Sequence, residues 1–182
     1  MRRPDSAAGR ADHQLLAVLR GYGADPYVAG VAKGLSWAGE HAAVWLAAGL
    51  TGACADAPRR TAWLRATALV AASHAASMAV KRVVRRPRPL LPGAGPLVRT
   101  AGRHSFPSSH AASATAAAVA FTALAPRAPF PPLAAAMCLS RLVAGVHYPT
   151  DVACGALLGA AAARLGRGWT LRALPAPGVR HG

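Results

Sequence analysis

Apolar residues fill five long stretches of the chain, and polar, basic or proline-rich segments separate them. The stretches lie at residues 38–55, 61–80, 108–125, 129–147 and 150–166. Each approaches the roughly 17–25 residues that an α-helix needs to cross a bilayer. They are rich in alanine, glycine, serine and threonine, small residues that let membrane helices approach closely. We therefore expect an all-α, polytopic membrane helix bundle of about five to six helices, without strands.

The segment before these stretches is more polar. Residues 1–13 are expected to be frayed, as chain ends often are, and residues 13–23 form a short amphipathic piece suited to a membrane interface. No long apolar core follows the first arginines, so we expect no signal peptide. The predicted division is a polar N-terminus with an interfacial helix at 1–24, a membrane domain at 25–168 and a flexible C-terminal tail at 169–182.

Prolines mark the joints between the stretches. They open a polar loop at residues 85–107 and form a turn at residues 125–132, and Pro149 stands where the fifth helix would begin. Gly155 and Gly159 form a small-xxx-small pair in the fifth stretch. That pair indicates either a close helix contact or simply an alanine-rich composition.

The chain combines a formal net charge of +15 with a mean hydropathy of +0.27. High charge alone would suggest a nucleic-acid-binding protein. However, the arginines cluster at the ends of the apolar stretches, and no basic stripe interleaved with aromatic residues is present. The pattern favours the membrane bilayer as partner and predicts no nucleic acid. The cysteines lie in apolar stretches without metal-ligand spacing and are interpreted as buried small residues: Cys54, Cys138 and Cys154.

Three polar clusters lie at predicted helix ends. They are KRVVRRPRP at residues 81–89, FPSSHA at 106–111 and SRLVAGVHYPTD at 140–151. If neighbouring helices run antiparallel, the loop between the second and third helices and the junction between the fourth and fifth lie on the same face. The three clusters are therefore expected to converge.

Such a convergence would make an anion pocket. Lys81, Arg88 and Arg141 would supply positive donors, and guanidinium groups match phosphate oxygens in bidentate fashion. Backbone N–H groups at Ser108 and Ser109 would add the positive end of a helix dipole. The other basic residues of the first cluster are interpreted as interfacial anchors: Arg82, Arg85 and Arg86.

Two histidines and an aspartate stand at the same pocket. Asp151 follows His147 by four residues, close enough to hold its imidazole, and His110 stands at the start of the third helix. A histidine oriented by a carboxylate is a base or nucleophile, and a second histidine can be the acid. Each residue alone also suits an ordinary helix-end role. Together they indicate phosphoryl transfer to histidine and then to water.

These residues carry a resemblance to the type 2 phosphatidic acid phosphatase (PAP2) superfamily. Its pattern is K-x6-RP, then PSGH, then SR-x5-H-x3-D. This chain has Lys81 with Arg88-Pro89, the tetrapeptide 107–110 and the segment 140–151 at those spacings. One departure is Ser109, where the family usually has glycine, and its side chain would take space near the phosphate.

The resemblance implies a helical core like that of the haloperoxidases and a role for each matching residue. His147 would be the nucleophile, Asp151 would orient it, and His110 would protonate the leaving oxygen. The phosphate would be held by five residues: Lys81, Arg88, Ser108, Ser109 and Arg141. The resemblance further implies no metal and no cofactor, and a site at the outer face of a cell membrane.

The substrate is expected to be a lipid phosphate. Residues 34–50 and the FPSSHA segment look like an actinobacterial subgroup that acts on decaprenylphosphoryl-5-phosphoribose in arabinan precursor synthesis. The alternatives are an undecaprenyl-pyrophosphate, phosphatidic acid or phosphatidylglycerophosphate phosphatase, a vanadate-dependent haloperoxidase, or a non-catalytic protein that binds anionic lipid. Glu40, the single acid of the first apolar stretch, is a candidate accessory residue together with His41. Its other interpretation is a hydrated carboxylate at the interface.

Overall fold

The computed structural model describes residues 7–91, 93–100 and 102–174. Within those ranges the chain has no β-strand, and an isolated bridge pairs Pro87 with His104. The prediction of an all-α chain is confirmed. The helices are α1 (Ala7–Gly21), α2 (Pro26–Ala38), α3 (Ala43–Ala55), α4 (Arg60–Val84), α5 (Ser109–Thr122), α6 (Phe130–Val143), α7 (Pro149–Leu165) and α8 (Arg167–Leu171). None of the helices in the described ranges is both long enough and apolar enough to cross a bilayer.

Helix α5 forms the centre of the bundle and packs against α4, α6 and α7. Most of its alanines are buried, and Phe121 packs at its C-terminal end against Trp63 and Phe130. Small side chains allow the neighbouring helices to approach closely. A Cβ atom at Gly155 or Gly159 of α7 would collide with backbone atoms of α5. The glycine pair is thus a site of close helix contact.

The predicted first stretch is not one helix. Helix α2 ends at Ala38, and a 3-10 turn follows before α3 begins at Ala43. The prediction of a continuous helix over 38–55 is wrong at its start because His41 and Ala42 take left-handed backbone angles, with φ of 52° and 63°. Such angles cost roughly 1–2 kcal/mol per residue for L-amino acids. The turn brings Gly39 close to α5 and α6, where a Cβ would collide with side chains.

The N-terminal segment is more ordered than the sequence indicated. Helix α1 begins at Ala7, and Leu16 and Asp12 are buried on its inner face. The expectation of a frayed segment is wrong for residues 7–13, because Asp12 finds partners inside the protein. Residues 1–6 lie outside the described ranges.

The predicted C-terminal tail, residues 169–182, starts within a helix. Thr170 is buried in α8, and its Oγ1 donates a hydrogen bond to the Gly166 carbonyl. Arg65 of α4 donates to the Trp169 carbonyl at 2.7 Å, which ties α8 to the bundle. Residues 175–182 lie outside the described ranges.

Candidate active site

The three polar clusters meet around one cavity of about 90 Å³. Helix α4 brings the first cluster to it, the start of α5 brings the second, and the end of α6 with the following turn brings the third. The lining residues are Glu40, His41, His74, Met78, Lys81, Arg88, Thr100, Gly102, Ser109, His110, Arg141 and His147. The cavity is large enough for a phosphoryl group.

Arg141 and Arg88 face this cavity without a carboxylate partner. No Asp or Glu oxygen of the described ranges lies within 4.0 Å of either guanidinium. Arg141 is 2% exposed, bonds the Ser36 hydroxyl, and its Nε has no hydrogen-bond partner in the same ranges. Arg88 donates to the carbonyls of Gly102 and Val146, each at 2.8 Å. Burial lowers the pKa of Arg88, although the charges of acidic residues oppose that effect.

Lys81 and Ser109 are in contact where they line the cavity. The Lys81 ammonium donates to the Ser109 hydroxyl at 3.1 Å. That hydroxyl in turn lies 3.4 Å from the Met78 sulfur and donates toward it. The serine that replaces the usual family glycine therefore points at the pocket lysine. It reduces the space in the cavity and gives Lys81 an uncharged partner.

Ser108 lies one layer deeper and does not belong to the residues that line the cavity. It caps the N-terminus of α5, because its hydroxyl accepts the Ala111 N–H at 3.4 Å. Its own N–H donates to the Asp151 carbonyl at 2.9 Å. Ser108 thus fixes the start of α5 against α7, and Ser109 and His110 reach the cavity from there.

His147 lies in the turn between α6 and α7, and it is 2% exposed. The predicted fourth stretch reaches residue 147, but α6 ends at Val143 because Gly145 turns the chain with a φ of 71°. Only glycine adopts this angle without strain. The turn points one edge of the imidazole at the cavity and the other at the start of α7.

The two ring nitrogens of His147 have different neighbours. Nε2 lies 3.5 Å from an Arg88 nitrogen on the cavity side. Nδ1 lies 3.7 Å from the Asp151 carboxylate and makes no hydrogen bond within the described ranges. A carboxylate beside Nδ1 favours the tautomer with the proton there, which leaves the Nε2 lone pair facing the cavity. Burial lowers the pKa of His147 to about 4, despite the opposing effect of Asp151.

The Asp151 carboxylate is fully buried in the first turn of α7. One oxygen accepts the Tyr148 N–H at 2.8 Å, and the other accepts from Arg86 at 2.9 Å. Arg86 also donates to Asp12 of α1 at 2.7 Å. The interpretation of Arg86 as an interfacial anchor is wrong, because this side chain joins two buried carboxylates. Burial acts to lower the pKa of Arg86, but Asp12 and Asp151 raise it above its ordinary value.

His110 lies in the first turn of α5 and reaches the cavity from the side of α2. Its Nε2 is 3.2 Å from the Ser36 carbonyl and 3.9 Å from the Glu40 carboxylate. The Glu40 side chain is 49% exposed, and His41 is more exposed still. His74 of α4, which the sequence did not single out, lines the same wall, and its Nδ1 lacks a hydrogen-bond partner within the described ranges. In those ranges no three His, Cys, Asp or Glu side chains are grouped to hold a metal ion.

Comparison with known proteins gives a family. The family model described as "PAP2 superfamily" matches residues 61–174. The chain belongs to the PAP2 superfamily. It is 46% identical over 148 residues to the decaprenylphosphoryl-5-phosphoribose phosphatase of Mycolicibacterium smegmatis, and the alignment covers 79% of this chain and 80% of that protein. The protein of the same name from Mycobacterium tuberculosis H37Rv is 46% identical over 136 residues, which cover 74% of this chain and 76% of the relative.

Three solved structures share the fold of this chain. A transmembrane PAP2 type phosphatidylglycerolphosphate phosphatase from Bacillus subtilis matches with a TM-score of 0.75 and 22% identity, over 93% of this chain and 89% of that one. Aquifex aeolicus LpxE matches with a TM-score of 0.72 and 21% identity, over 94% and 99%. A bacterial vanadium-dependent iodoperoxidase matches with a TM-score of 0.72 and 16% identity, over 94% and 50%. The predicted PAP2/haloperoxidase-like core is confirmed, as is the predicted class of PAP2 hydrolase acting on phosphoric esters.

Proposed function

We propose that this PAP2 protein is a membrane-embedded phosphatase that removes the phosphate from decaprenylphosphoryl-5-phosphoribose. The observation that carries the substrate is the 46% identity to relatives of that name over 148 residues. The cavity supports the reaction, because it joins unpaired cations to a histidine whose Nε2 is available. Undecaprenyl pyrophosphate, phosphatidic acid and phosphatidylglycerophosphate are the competing substrates.

The first chemical step transfers the phosphoryl group to the protein. The phosphate binds among Lys81, Arg88 and Arg141, and the Nε2 lone pair of His147 attacks phosphorus. The bond from phosphorus to the ribose oxygen breaks, its electron pair goes to that oxygen, and His110 supplies the proton. The Asp151 carboxylate stabilises the positive charge that His147 acquires.

The second step releases phosphate. Water attacks the phosphohistidine, the phosphorus–nitrogen bond breaks, and its electron pair returns to His147. The proton that the water loses goes to His110, which is then ready for another cycle. The cations and the N–H groups at the start of α5 stabilise the charge that develops on the phosphoryl oxygens in both steps.

The outer surface of the bundle supports a location in the membrane. Large apolar or aromatic side chains are strongly exposed on several helices, among them Trp37 at 84%, Tyr27 at 80% and Leu165 at 87%. Exposed apolar side chains of this size are suited to contact with lipid. The family resemblance supports the proposal that the protein lies in the cell membrane and that its site opens at the outer face.

An apolar groove supports a long hydrocarbon substrate. It lies between α2 and α6, has a volume of about 250 Å³, and contains Val31, Leu35, Leu139 and Ser140. Leu35 precedes Ser36, which contacts both Arg141 and His110, and Ser140 precedes Arg141. Along α2 and α6, residues of the groove are therefore neighbours in sequence of residues that line or contact the phosphate cavity. A polyprenyl chain in the groove would place its head group at the cavity.

Glu40, with His41 and His74, is proposed to recognise the sugar. These three side chains line the cavity together with the basic residues. A phosphate on ribose brings hydroxyl groups beside it, and a half-exposed carboxylate can accept their hydrogen bonds. Glu40→Gln should therefore lower activity on the ribose phosphate more than on phosphatidic acid. An equal loss on both would contradict this role and indicate an action through His110.

The test of the proposed function is phosphate release by detergent-purified protein in EDTA. Decaprenylphosphoryl-5-phosphoribose, undecaprenyl pyrophosphate, phosphatidylglycerophosphate and phosphatidic acid are compared at equal mole fraction in the micelle. The expected result is the highest kcat/KM on the ribose phosphate and none in His147→Ala. Preference for another lipid would overturn the substrate. A folded wild-type protein that binds anionic lipid without hydrolysing any of the four would favour the non-catalytic alternative.

A further inference from the structure

The side of His147 that faces away from the cavity is lined by charged and polar groups from three separate segments. Asp12 comes from α1, Arg86 from the loop after α4, and Thr150 with Asp151 from the first turn of α7. Arg86 donates to Asp151 at 2.9 Å, to the Thr150 hydroxyl at 2.7 Å and to Asp12 at 2.7 Å. Each contact is short and involves at least one charged group, which makes it a strong hydrogen bond.

Asp12 is fixed from the other side by α7. Its carboxylate accepts the Thr150 N–H at 2.9 Å and the Thr150 hydroxyl at 2.6 Å. The residue is 5% exposed, so an unpaired charge there would be costly. Arg86 also stacks on the Tyr148 ring, 4.1 Å from its centroid. These contacts leave the guanidinium group little freedom to turn or shift.

The arrangement controls where the Asp151 carboxylate lies. One oxygen is held by Arg86, and the other faces both the Tyr148 N–H and the His147 ring. If Arg86 were absent, the carboxylate would keep a single backbone donor and could rotate away from His147. We infer that Asp12 and Arg86 are positioning residues that hold the Asp151 carboxylate, and through it the His147 imidazole, in the orientation required for attack.

The residues that support catalysis thus extend beyond the part of the chain that matches the family model. The PAP2 match begins at residue 61, whereas Asp12 belongs to α1, well before it. Helix α1 therefore has a role in the reaction besides covering the bundle. Arg86 does not line the phosphate cavity. We therefore expect it to affect the rate of attack and not the binding of phosphate.

The inference rests on the proposed phosphoryl transfer, and its test measures the chemical step in each folded molecule. The measurements are the rate of phosphohistidine formation after mixing with radiolabelled substrate, KM, and inhibition by inorganic phosphate. Arg86→Gln should slow phosphohistidine formation by about 100-fold, the order expected when a reacting group is misplaced by about 1 Å. KM and phosphate inhibition should stay near the wild-type values, because the cations in the cavity are untouched.

Arg85→Gln is the matched control. Arg85 is the adjacent arginine, its side chain is exposed, and it donates to the Arg82 carbonyl, away from the site. This variant should react at the wild-type rate. Arg86→Lys should recover only part of the loss, because an ammonium cannot span both carboxylates as a planar guanidinium does.

Two further variants test whether Asp12 acts through Arg86. Asp12→Asn should slow the reaction by about 10-fold, at the lower end of losses seen for supporting residues. The double variant Asp12→Asn/Arg86→Gln should react no more slowly than Arg86→Gln, because residues of one network are not additive. It also leaves no unpaired charge at Asp12, so it keeps the test available if Arg86→Gln fails to fold.

Failure of the inference and failure of the proposed function give different results. A wild-type protein without phosphohistidine and without phosphate release would contradict the proposed function. An active wild type with an Arg86→Gln variant that has a lower melting temperature but an unchanged rate per folded molecule would overturn the inference. Arg86 would then be only a tether between α1 and α7. If the losses of rate were additive in the double variant, the inference that Asp12 acts through Arg86 would be overturned.

Discussion

The two sides of His147 carry positive charge in different ways. On the cavity side, Lys81, Arg88 and Arg141 have no carboxylate within 4.0 Å in the described part of the chain. On the other side, Arg86 holds two carboxylates at 2.7 and 2.9 Å. All four residues are basic, and three of them lie within the eight residues 81–88. Only Arg86 is neutralised by carboxylates of the described part of the chain.

The contrast shows that a neighbouring carboxylate distinguishes a structural cation from a cation that is left to bind a ligand. Burial lowers the pKa of Arg88, whereas the paired acids raise that of Arg86. Buried cations without partners are costly, and an anionic ligand relieves that cost. The cavity side is therefore arranged for a phosphate, and the other side is complete without one.

The largest effect is expected at the boundary between the two sides. His147→Ala removes the proposed nucleophile, so phosphate release should fall to the detergent blank and no phosphohistidine should form. The measurement is radiolabel retained on the protein after an alkaline quench, which preserves phosphohistidine. The variant should still bind inorganic phosphate, because the cations remain. Residual labelling at the wild-type level would place the nucleophile elsewhere.

A cation on the cavity side comes next. Arg141→Gln should lower kcat/KM by about 10²–10³-fold, the loss typical of one donor to transition-state charge. Inhibition by inorganic phosphate should weaken at the same time, in contrast to Arg86→Gln. Arg127→Gln, which changes an exposed arginine in the loop before α6, serves as the control and should leave both values unchanged. A loss confined to kcat, with normal phosphate inhibition, would contradict the division between the two sides.

The third effect is a shift in titration. Burial lowers the pKa of His147 from its ordinary value near 6.5 to about 4. As the pH falls, the ring should therefore stay neutral through the range in which a solvated histidine protonates, and it should take up its proton only near pH 4. NMR of the ring Cε1–H signal, assigned by its loss in His147→Ala, measures this directly. Titration near the value of the urea-unfolded protein would show that the site is open to water.

The residues that meet on the cavity side could be predicted from the sequence, because most of them are close together along the chain. Lys81 and Arg88 flank one helix end, and His147 with Asp151 spans one turn of another, so local geometry alone brings each pair together. The counting of antiparallel helices then placed the clusters on one face. Ser108 is the exception. It was predicted to hold phosphate, whereas its hydroxyl caps the N-terminus of α5. A serine at this position of the motif can serve either role.

The other side was missed because its contacts join distant segments. Arg86 and Asp12 are separated by 74 residues, and no local pattern links them. One signal was available: Asp12 lies one turn before Leu16, on the buried face of α1. The amphipathic segment was predicted to start at residue 13, which left this aspartate outside the helix. An acid on an apolar helix face, in a chain with six acidic residues, indicates a buried basic partner.

The smallest effect on the chemistry is expected where the two sides are joined by helix packing. Gly155 of α7 lies against the Ser108 carbonyl of α5, and a Cβ there would collide with it. Gly155→Ala should lower the free energy of unfolding by about 1–3 kcal/mol, as overpacking does. Ser108 and Asp151 are also tied by a backbone hydrogen bond of 2.9 Å, so the two helix starts should move together and keep their relative position. The expected result is a lower melting temperature with a nearly normal rate of phosphohistidine formation per folded molecule, and Gly168→Ala, at an open position in α8, is the control. A large loss of rate at an unchanged melting temperature would mean that the packing of α5 on α7 sets the geometry of attack more strongly than the pair of Asp12 and Arg86 does.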